Sequence, residues 1–236
     1  MLHTQYVTPN MLRITLGGAA LADFPTEQAS AYVKLVFPQT NSSRPLLRTY
    51  TIRHQTAHSI DIDFALHDAK GPASSWAMNA QVGDCILVGG PGPKRLVTQP
   101  ADNFIIAGDM TALPAISVNL AMLPLNATGF AIIEVTTRAD IQTLEHPANM
   151  KLIWVIANEE AAQNRDNPLL AHIKALPQFS GLTSIWVACE FNGMKLIRKY
   201  LKERYDLPKA YFYTSSYWQK GHSEDEHKVA KSNDTE

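Results

Sequence analysis

The segment Arg48-Thr49-Tyr50-Thr51-Ile52-Arg53 gathers residue types that could do chemistry together. It lies on an apolar run over 46–52 that reads as a strand, and successive side chains of a strand point to opposite faces. Arg48, Tyr50 and Ile52 then share one face, and Thr49, Thr51 and Arg53 the other. The tyrosine ring can lie against a flat heterocycle, and a guanidinium can pair bidentately with a phosphate. Backbone groups and hydroxyls can address heteroatom edges. The set suits a large, planar, anionic ligand. An exposed edge strand with ordinary polar residues is the plain alternative.

A second such stretch is Gly71-Pro72-Ala73-Ser74-Ser75-Trp76-Ala77. Proline favours the first helical turn. A helix start leaves N–H groups unpaired and carries the positive end of the dipole, so it can seat a pyrophosphate. A short helix capping the open end of a barrel fits the same residues. Two further segments join a carboxylate to a glycine or a polar side chain: Gly108-Asp109-Met110-Thr111, and Cys189-Glu190-Phe191-Asn192. Asp109, Thr111 and Glu190 are equally well read as helix-capping residues. The chain has no Gly-x-Gly-x-x-Gly dinucleotide fingerprint.

The elements that must position these groups change character near residue 100. Before it, Leu12, Ile14 and Leu16 alternate with polar residues, as do Ile60, Ile62, Phe64 and Leu66. Residues 32–37 and 85–88 read as further strands, the latter ending in Gly89-Gly90-Pro91-Gly92-Pro93, and 41–44 as a polar loop. Short strands at this spacing predict a sandwich or small barrel. After residue 100, strands over 103–107, 130–136, 151–157, 184–188 and 210–215 alternate with helices over 112–123, 168–176 and 192–205. That alternation predicts a mostly parallel sheet covered by helices, which binds ligands at the carboxyl ends of its strands. Met194, Ile197 and Leu201 recur at helical spacing, with Lys195, Arg198, Lys199 and Lys202 on the wet side.

Composition narrows the classes. The chain has 236 residues, 45% of them hydrophobic and 18% charged, and a net charge of −1. It can bury a real core and advertises no basic surface for nucleic acid. No apolar run approaches the roughly 20 residues of a membrane span, and the start lacks the pattern of a secretory signal. We expect a soluble, cytoplasmic protein. Cys85 and Cys189 lie far apart, without metal-ligand spacing, and each is expected to be buried. His3, His54, His58, His146, His172, His222 and His227 show no metal spacing and are expected to be surface or packing residues. The tail from residue 222 is polar and mixed in charge, and is expected to be flexible unless something docks it.

Four segments, in order, resemble the siderophore-interacting protein family, flavin-dependent reductases of ferric siderophores. They are residues 48–53; residues 63–67 running into 71–77; Ala107-Gly108-Asp109-Met110-Thr111-Ala112-Leu113-Pro114-Ala115; and Tyr217-Trp218-Gln219-Lys220-Gly221. The resemblance implies the ferredoxin–NADP reductase-like plan: an antiparallel Greek-key β-barrel FAD domain over 1–99, then a parallel-sheet NAD(P)H-binding α/β domain over 100–236. It implies FAD, with Arg48, Tyr50 and Thr51 around the isoalloxazine and ribityl region, and Ile52 and Arg53 completing that strand. His67 would stand beside the flavin, and Gly71, Ala73 and Ser74 on the pyrophosphate. Asp109, Thr111 and Ala112 would lie near the adenosine half or the nicotinamide, Glu190 on the nicotinamide side, and Trp218 near the active site.

No catalytic side chain is implied, because the flavin carries the redox chemistry. The expected donor is NADH or NADPH. Met110 stands where the family usually has Glu, and Cys189 where Gly is common before Glu190, which leaves reduced ferredoxin as another donor. Lys94, Arg95 and Lys220 are candidates to meet an anionic ferric siderophore, with a solvated loop as the plain reading. Two other classes stay open. A general flavin or electron-transfer reductase would consume free flavin faster than ferric siderophores. A non-enzymatic ferric-chelate binding module would be colourless and still bind ferric chelates.

Overall fold

The computed structural model describes residues 1–39, 43–66, 71–157, 159 and 167–234. It divides into two compact units, Met1–Arg95 and Leu96–Glu236.

The first unit is antiparallel. Its strands are β1 (His3–Thr8), β2 (Met11–Gly17), β3 (Tyr32–Phe37), β4 (Leu46–Gln55), β5 (Ser59–Ala65) and β6 (Leu87–Gly89), in the order β1-β2-β5-β4-β3-β6. Strands β3, β4 and β5 pair in succession, and β6 returns beside β3, which is the Greek-key order. The alternating residues meet as their period demands. Leu12 stands opposite Phe64, Ile14 opposite Ile62 and Leu16 opposite Ile60, all buried. On the other face Arg13 stands opposite Asp63, with Nε and Nη2 donating to its two carboxylate oxygens at 2.6 and 2.7 Å. That hydrogen-bonded carboxylate raises the Arg13 pKa. Helix α1 (Pro72–Asn79) buries Ala73 and Ala77 against the apolar face.

Two expectations change here. Strand β6 is confined to Leu87–Gly89, so Cys85 lies outside it and is exposed, not buried. Strand β1 is exposed along most of its length and therefore carried no hydrophobic alternation to reveal it.

The second unit is a parallel sheet with helices. Strands β7 (Asn103–Gly108), β8 (Gly129–Val135), β9 (Met150–Ile156), β10 (Thr183–Glu190) and β11 (Phe212–Trp218) lie in the order β11-β10-β7-β8-β9. The chain runs outward from β7 to β9, then returns to place β10 on the other side of β7. The switch point is thus between β7 and β10, where such sheets receive ligands. Helix α2 (Leu113–Ala121) is buried from Leu113 through Leu120, being apolar save for Ser117 and Asn119, whose side chains donate to carbonyls one turn back. Helices α3 (Pro168–Lys174) and α4 (Phe191–Arg204) follow β9 and β10.

A last helix, α5 (Glu224–Ser232), replaces the expected flexible tail. Ser223 and Glu226 close a capping box at its start. His227 is buried, its Nε2 at 2.8 Å from Ser216 Oγ and its ring edge-on to Phe191. Lys231 Nζ donates to Ser215 Oγ at 2.7 Å. Arg198, expected on the wet side of α4, is 6% exposed and pairs through both terminal nitrogens with Asp234 at 2.7 and 2.8 Å. Among the described residues no helix is long and apolar enough to cross a membrane.

Candidate functional site

In the first unit the site is built on β4 and α1. Arg48 and Tyr50 stand opposite Leu35 and Val33 of β3, so they share the face of those buried residues. Arg48 is half-buried and its Nη1 donates to the Leu47 carbonyl at 2.9 Å. Tyr50 is half-buried, its ring centroid 4.4 Å from that of Phe64. Phe64 in turn meets Trp76 of α1 at 6.1 Å. This aromatic chain ties the central strand to the helix and holds the Tyr50 ring by packing.

Ile52 is fully buried, and its N–H and carbonyl pair with Ala31 O at 2.8 Å and Ser30 N at 2.9 Å. A bulge between Ile52 and His54 releases Arg53 from regular pairing. Thr51 is buried and Arg53 half-buried. Gly71 is the N-cap of α1, with no side-chain cap and no acidic residue in the first turn. Among the described residues, and apart from its chain neighbours, no atom stands within 4 Å of where a Gly71 Cβ would be. An uncapped helix start facing open space is a fitting seat for a pyrophosphate. Ala73 and Ser74, in its first turn, are buried. His67 lies outside the described residues. Lys94 Nζ donates to the Glu27 carbonyl at 2.5 Å, and Arg95 is exposed.

In the second unit the carboxyl ends of β7, β10 and β11 converge at the switch point. Asp109 Oδ1 accepts from Thr111 N at 2.9 Å and Thr111 Oγ1 at 2.5 Å, and Oδ2 accepts from Trp218 Nε1 at 2.8 Å. Burial pushes the Asp109 pKa up, while the donations from Thr111 and Trp218 pull it back. Glu190 is the N-cap of α4, accepting from Asn192 N at 2.7 Å and Gly193 N at 3.0 Å. It also accepts from the exposed Lys220 through its backbone N–H at 3.3 Å.

Ala112 is fully buried, its N–H on the Asp109 carbonyl. Met110 is buried, and its sulfur accepts from Thr136 N at 3.4 Å and Thr136 Oγ1 at 3.2 Å. Burial, with Asp109, Glu134 and Glu190 adding to it, drives the Cys189 pKa well up, so it stays a thiol. The capping reading is met for Glu190; helix α2 starts from Ala112 with no side-chain cap, and Asp109 and Thr111 bond each other ahead of it. The link from Asp109 to Trp218, 109 residues apart, had no sequence signal.

A family model described as "Siderophore-interacting protein" matches residues 101–221, and one described as "Siderophore-interacting FAD-binding domain" matches residues 1–45 and 40–95. The chain belongs to the siderophore-interacting protein family. It is 34% identical to a ferric vibriobactin reductase of Vibrio cholerae over 94% of this chain and 88% of that one. It is 28% identical to an NADPH-dependent ferric-chelate reductase of Escherichia coli over 92% and 91% of the two chains.

Among solved structures, the siderophore-interacting protein SipS of Aeromonas hydrophila is similar with a TM-score of 0.86 at 32% identity, covering 98% of this chain and 94% of that one. Phthalate dioxygenase reductase, at 14% identity and a TM-score of 0.64 over 91% and 65% of the two chains, shares the fold. The expected two-part architecture of an antiparallel sheet followed by a parallel one is thus the family's. Its cofactor is FAD, and the residues present fit that group. An uncapped, open helix start and a packed aromatic ring occur in one unit, joined through Phe64 and Trp76.

Proposed function

We propose that the protein is an FAD-dependent ferric-siderophore reductase that takes electrons from NADPH or NADH and releases iron as Fe(II). The observation that carries this reading is the aromatic chain from Tyr50 through Phe64 to Trp76, which joins the Arg48–Arg53 strand to the open start of α1. A dinucleotide with a flat ring at one end and a pyrophosphate in its middle matches that pairing of features. The ferric acceptor is inferred from the relatives named for ferric vibriobactin and ferric chelates.

Bound FAD would supply the conversion of a two-electron hydride into single electrons. The chain's own part is to hold and orient. Tyr50 offers a ring fixed from behind by Phe64. Arg48 and Arg53 bring positive charge to the same strand, and Gly71, Ala73 and Ser74 start the helix whose N–H groups receive phosphate oxygens. The donor nucleotide is assigned to the switch point of the second unit. There Met110 accepts from Thr136 through its sulfur. A nicotinamide donor is favoured over ferredoxin by the relative named as an NADPH-dependent ferric-chelate reductase.

Lys94, Arg95 and Lys220, all exposed, are assigned to attract the anionic ferric chelate. Hard oxygen donors hold Fe(III) better than Fe(II), so reduction loosens the iron. The test is Fe(II) formation under anaerobic conditions, followed with an Fe(II)-specific chromogenic chelator, for the FAD-loaded protein with excess NADPH. The expected result is Fe(II) from the ferric siderophore, with NADPH oxidised faster in its presence than with free flavin at equal concentration. Faster consumption of free flavin would make it a general flavin reductase. Tight ferric-chelate binding without flavin or reduction would make it a binding module.

A further inference from the structure

The two carboxylates at the switch point are spent on the chain itself. An ionised carboxylate offers about four lone-pair sites. Three of those of Asp109 receive Thr111 N, Thr111 Oγ1 and Trp218 Nε1, and the side chain is buried. Glu190 receives Asn192 N, Gly193 N and Lys220 N. A buried carboxylate with three donors from its own chain offers little to an incoming nucleotide. The residue is therefore suited to fix its neighbours, not to bind a ligand. It joins the end of β7 to the end of β11.

What it fixes is Trp218, which ends β11 with 40% of its surface exposed and its indole N–H anchored. A planar indole, held at one edge and open to solvent, is a packing surface for another planar ring. It attracts a pyridinium more strongly than a neutral ring. We propose that Asp109 is a positioning residue that sets the Trp218 indole as the surface against which the donor's nicotinamide packs. This rests on the nicotinamide-donor reading given above.

The test uses the FAD-loaded full chain with 15N-labelled tryptophan. Four indole N–H signals are expected, from Trp76, Trp154, Trp186 and Trp218. Trp218→Phe assigns the one that disappears. In the native protein, NADP⁺, which binds without turnover, should shift the Trp218 signal. In Asp109→Asn the side-chain oxygen can still serve Thr111, but the amide nitrogen then meets the indole N–H donor to donor. The Trp218 signal should move and exchange faster with solvent, while the Trp76 and Trp154 signals stay in place. The NADP⁺ Kd should rise about tenfold in Asp109→Asn, by a similar factor in Trp218→Phe, and no further in the double variant.

An unmoved Trp218 signal in Asp109→Asn, an unchanged Kd in Trp218→Phe, or additive losses in the double variant would each overturn the proposal. If the native protein bound no NADP⁺ and oxidised no NADPH, the donor reading itself would fall. NADPH oxidation with a neutral Trp218→Phe would sink only the role of Asp109 and Trp218.

Discussion

Gly108→Ala perturbs the switch point without changing a polar side chain. Gly108 ends β7 and pairs in register with Ala188 of β10. A Cβ there would stand 2.4 Å from the Ala188 carbonyl oxygen, 2.9 Å from Ala112 Cβ and 3.0 Å from Ile116 Cδ1. The nearest of these is backbone held in a parallel ladder, so it cannot swing aside as a flexible side chain would. Relief to ordinary contact needs a displacement of about 1 Å between β7 and β10, and overpacking of this kind costs about 1–3 kcal/mol. For a chain of this size that corresponds to a melting temperature lower by roughly 2–12 °C. Because Asp109 follows directly, the same displacement should loosen its hold on Trp218.

Thermal unfolding followed by circular dichroism, with flavin content and NADPH KM measured on the same samples, checks the argument. The expected result is a lowered melting temperature, a KM raised several-fold and unchanged FAD per polypeptide. A variant with native melting temperature and native KM would show that the close approach of β7 and β10 does not constrain the site.

Three more outcomes follow from the same contacts. Asp63→Ala leaves Arg13 without its bidentate partner; because Arg13 retains some exposure, the loss should be about 2–4 kcal/mol, read as a lowered urea midpoint, and a change under 1 kcal/mol would refute it. Tyr50→Ala removes the ring packed on Phe64 and should raise the FAD Kd about tenfold in a fluorescence titration; full FAD occupancy in the purified variant would count against that role. Burial lowers the His227 pKa below its ordinary 6.5, helped by Lys231 and His222 and opposed by Glu224 and Glu190. The unfolded chain therefore binds the proton more readily, so this stabilisation is full above about pH 6.5 and is lost as pH falls through the lowered folded value. Melting temperatures between pH 5 and 7.5 should fall more steeply with acid in the native protein than in His227→Gln, and parallel curves would contradict this.

The sequence was most legible where burial writes a period into it. Leu12, Ile14 and Leu16 could be matched to Ile60, Ile62 and Phe64 because one face of each strand is apolar and the other polar. The continuous apolar runs of β7, β8 and β10 announced a parallel sheet for the complementary reason, that both faces are covered. Strand β1 and helix α5 escaped because neither is held by an apolar stripe. Helix α5 is docked by His227, Lys231 and the neighbouring Asp234, whose partners Ser216, Ser215 and Arg198 are polar and distant in sequence. Arg198 misled for the same reason, since helical spacing cannot reveal that a carboxylate 36 residues later covers it.

Within the site, the types of Asp109 and Glu190 suggested caps or ligands equally. The structure shows the capping bonds for Glu190 alone, and only the register of β10 with β7 and β11 brings Trp218 to Asp109.

The central claim is an FAD reductase of ferric siderophores fed by a nicotinamide. Its most direct test is the visible absorption spectrum of the FAD-loaded protein under anaerobic conditions, recorded before and after NADPH and again after a ferric siderophore. The account predicts flavin bands that bleach with NADPH and return as Fe(II) forms. A protein that takes up no flavin when FAD is supplied, or flavin bands that NADPH bleaches and a ferric siderophore does not restore, would contradict it.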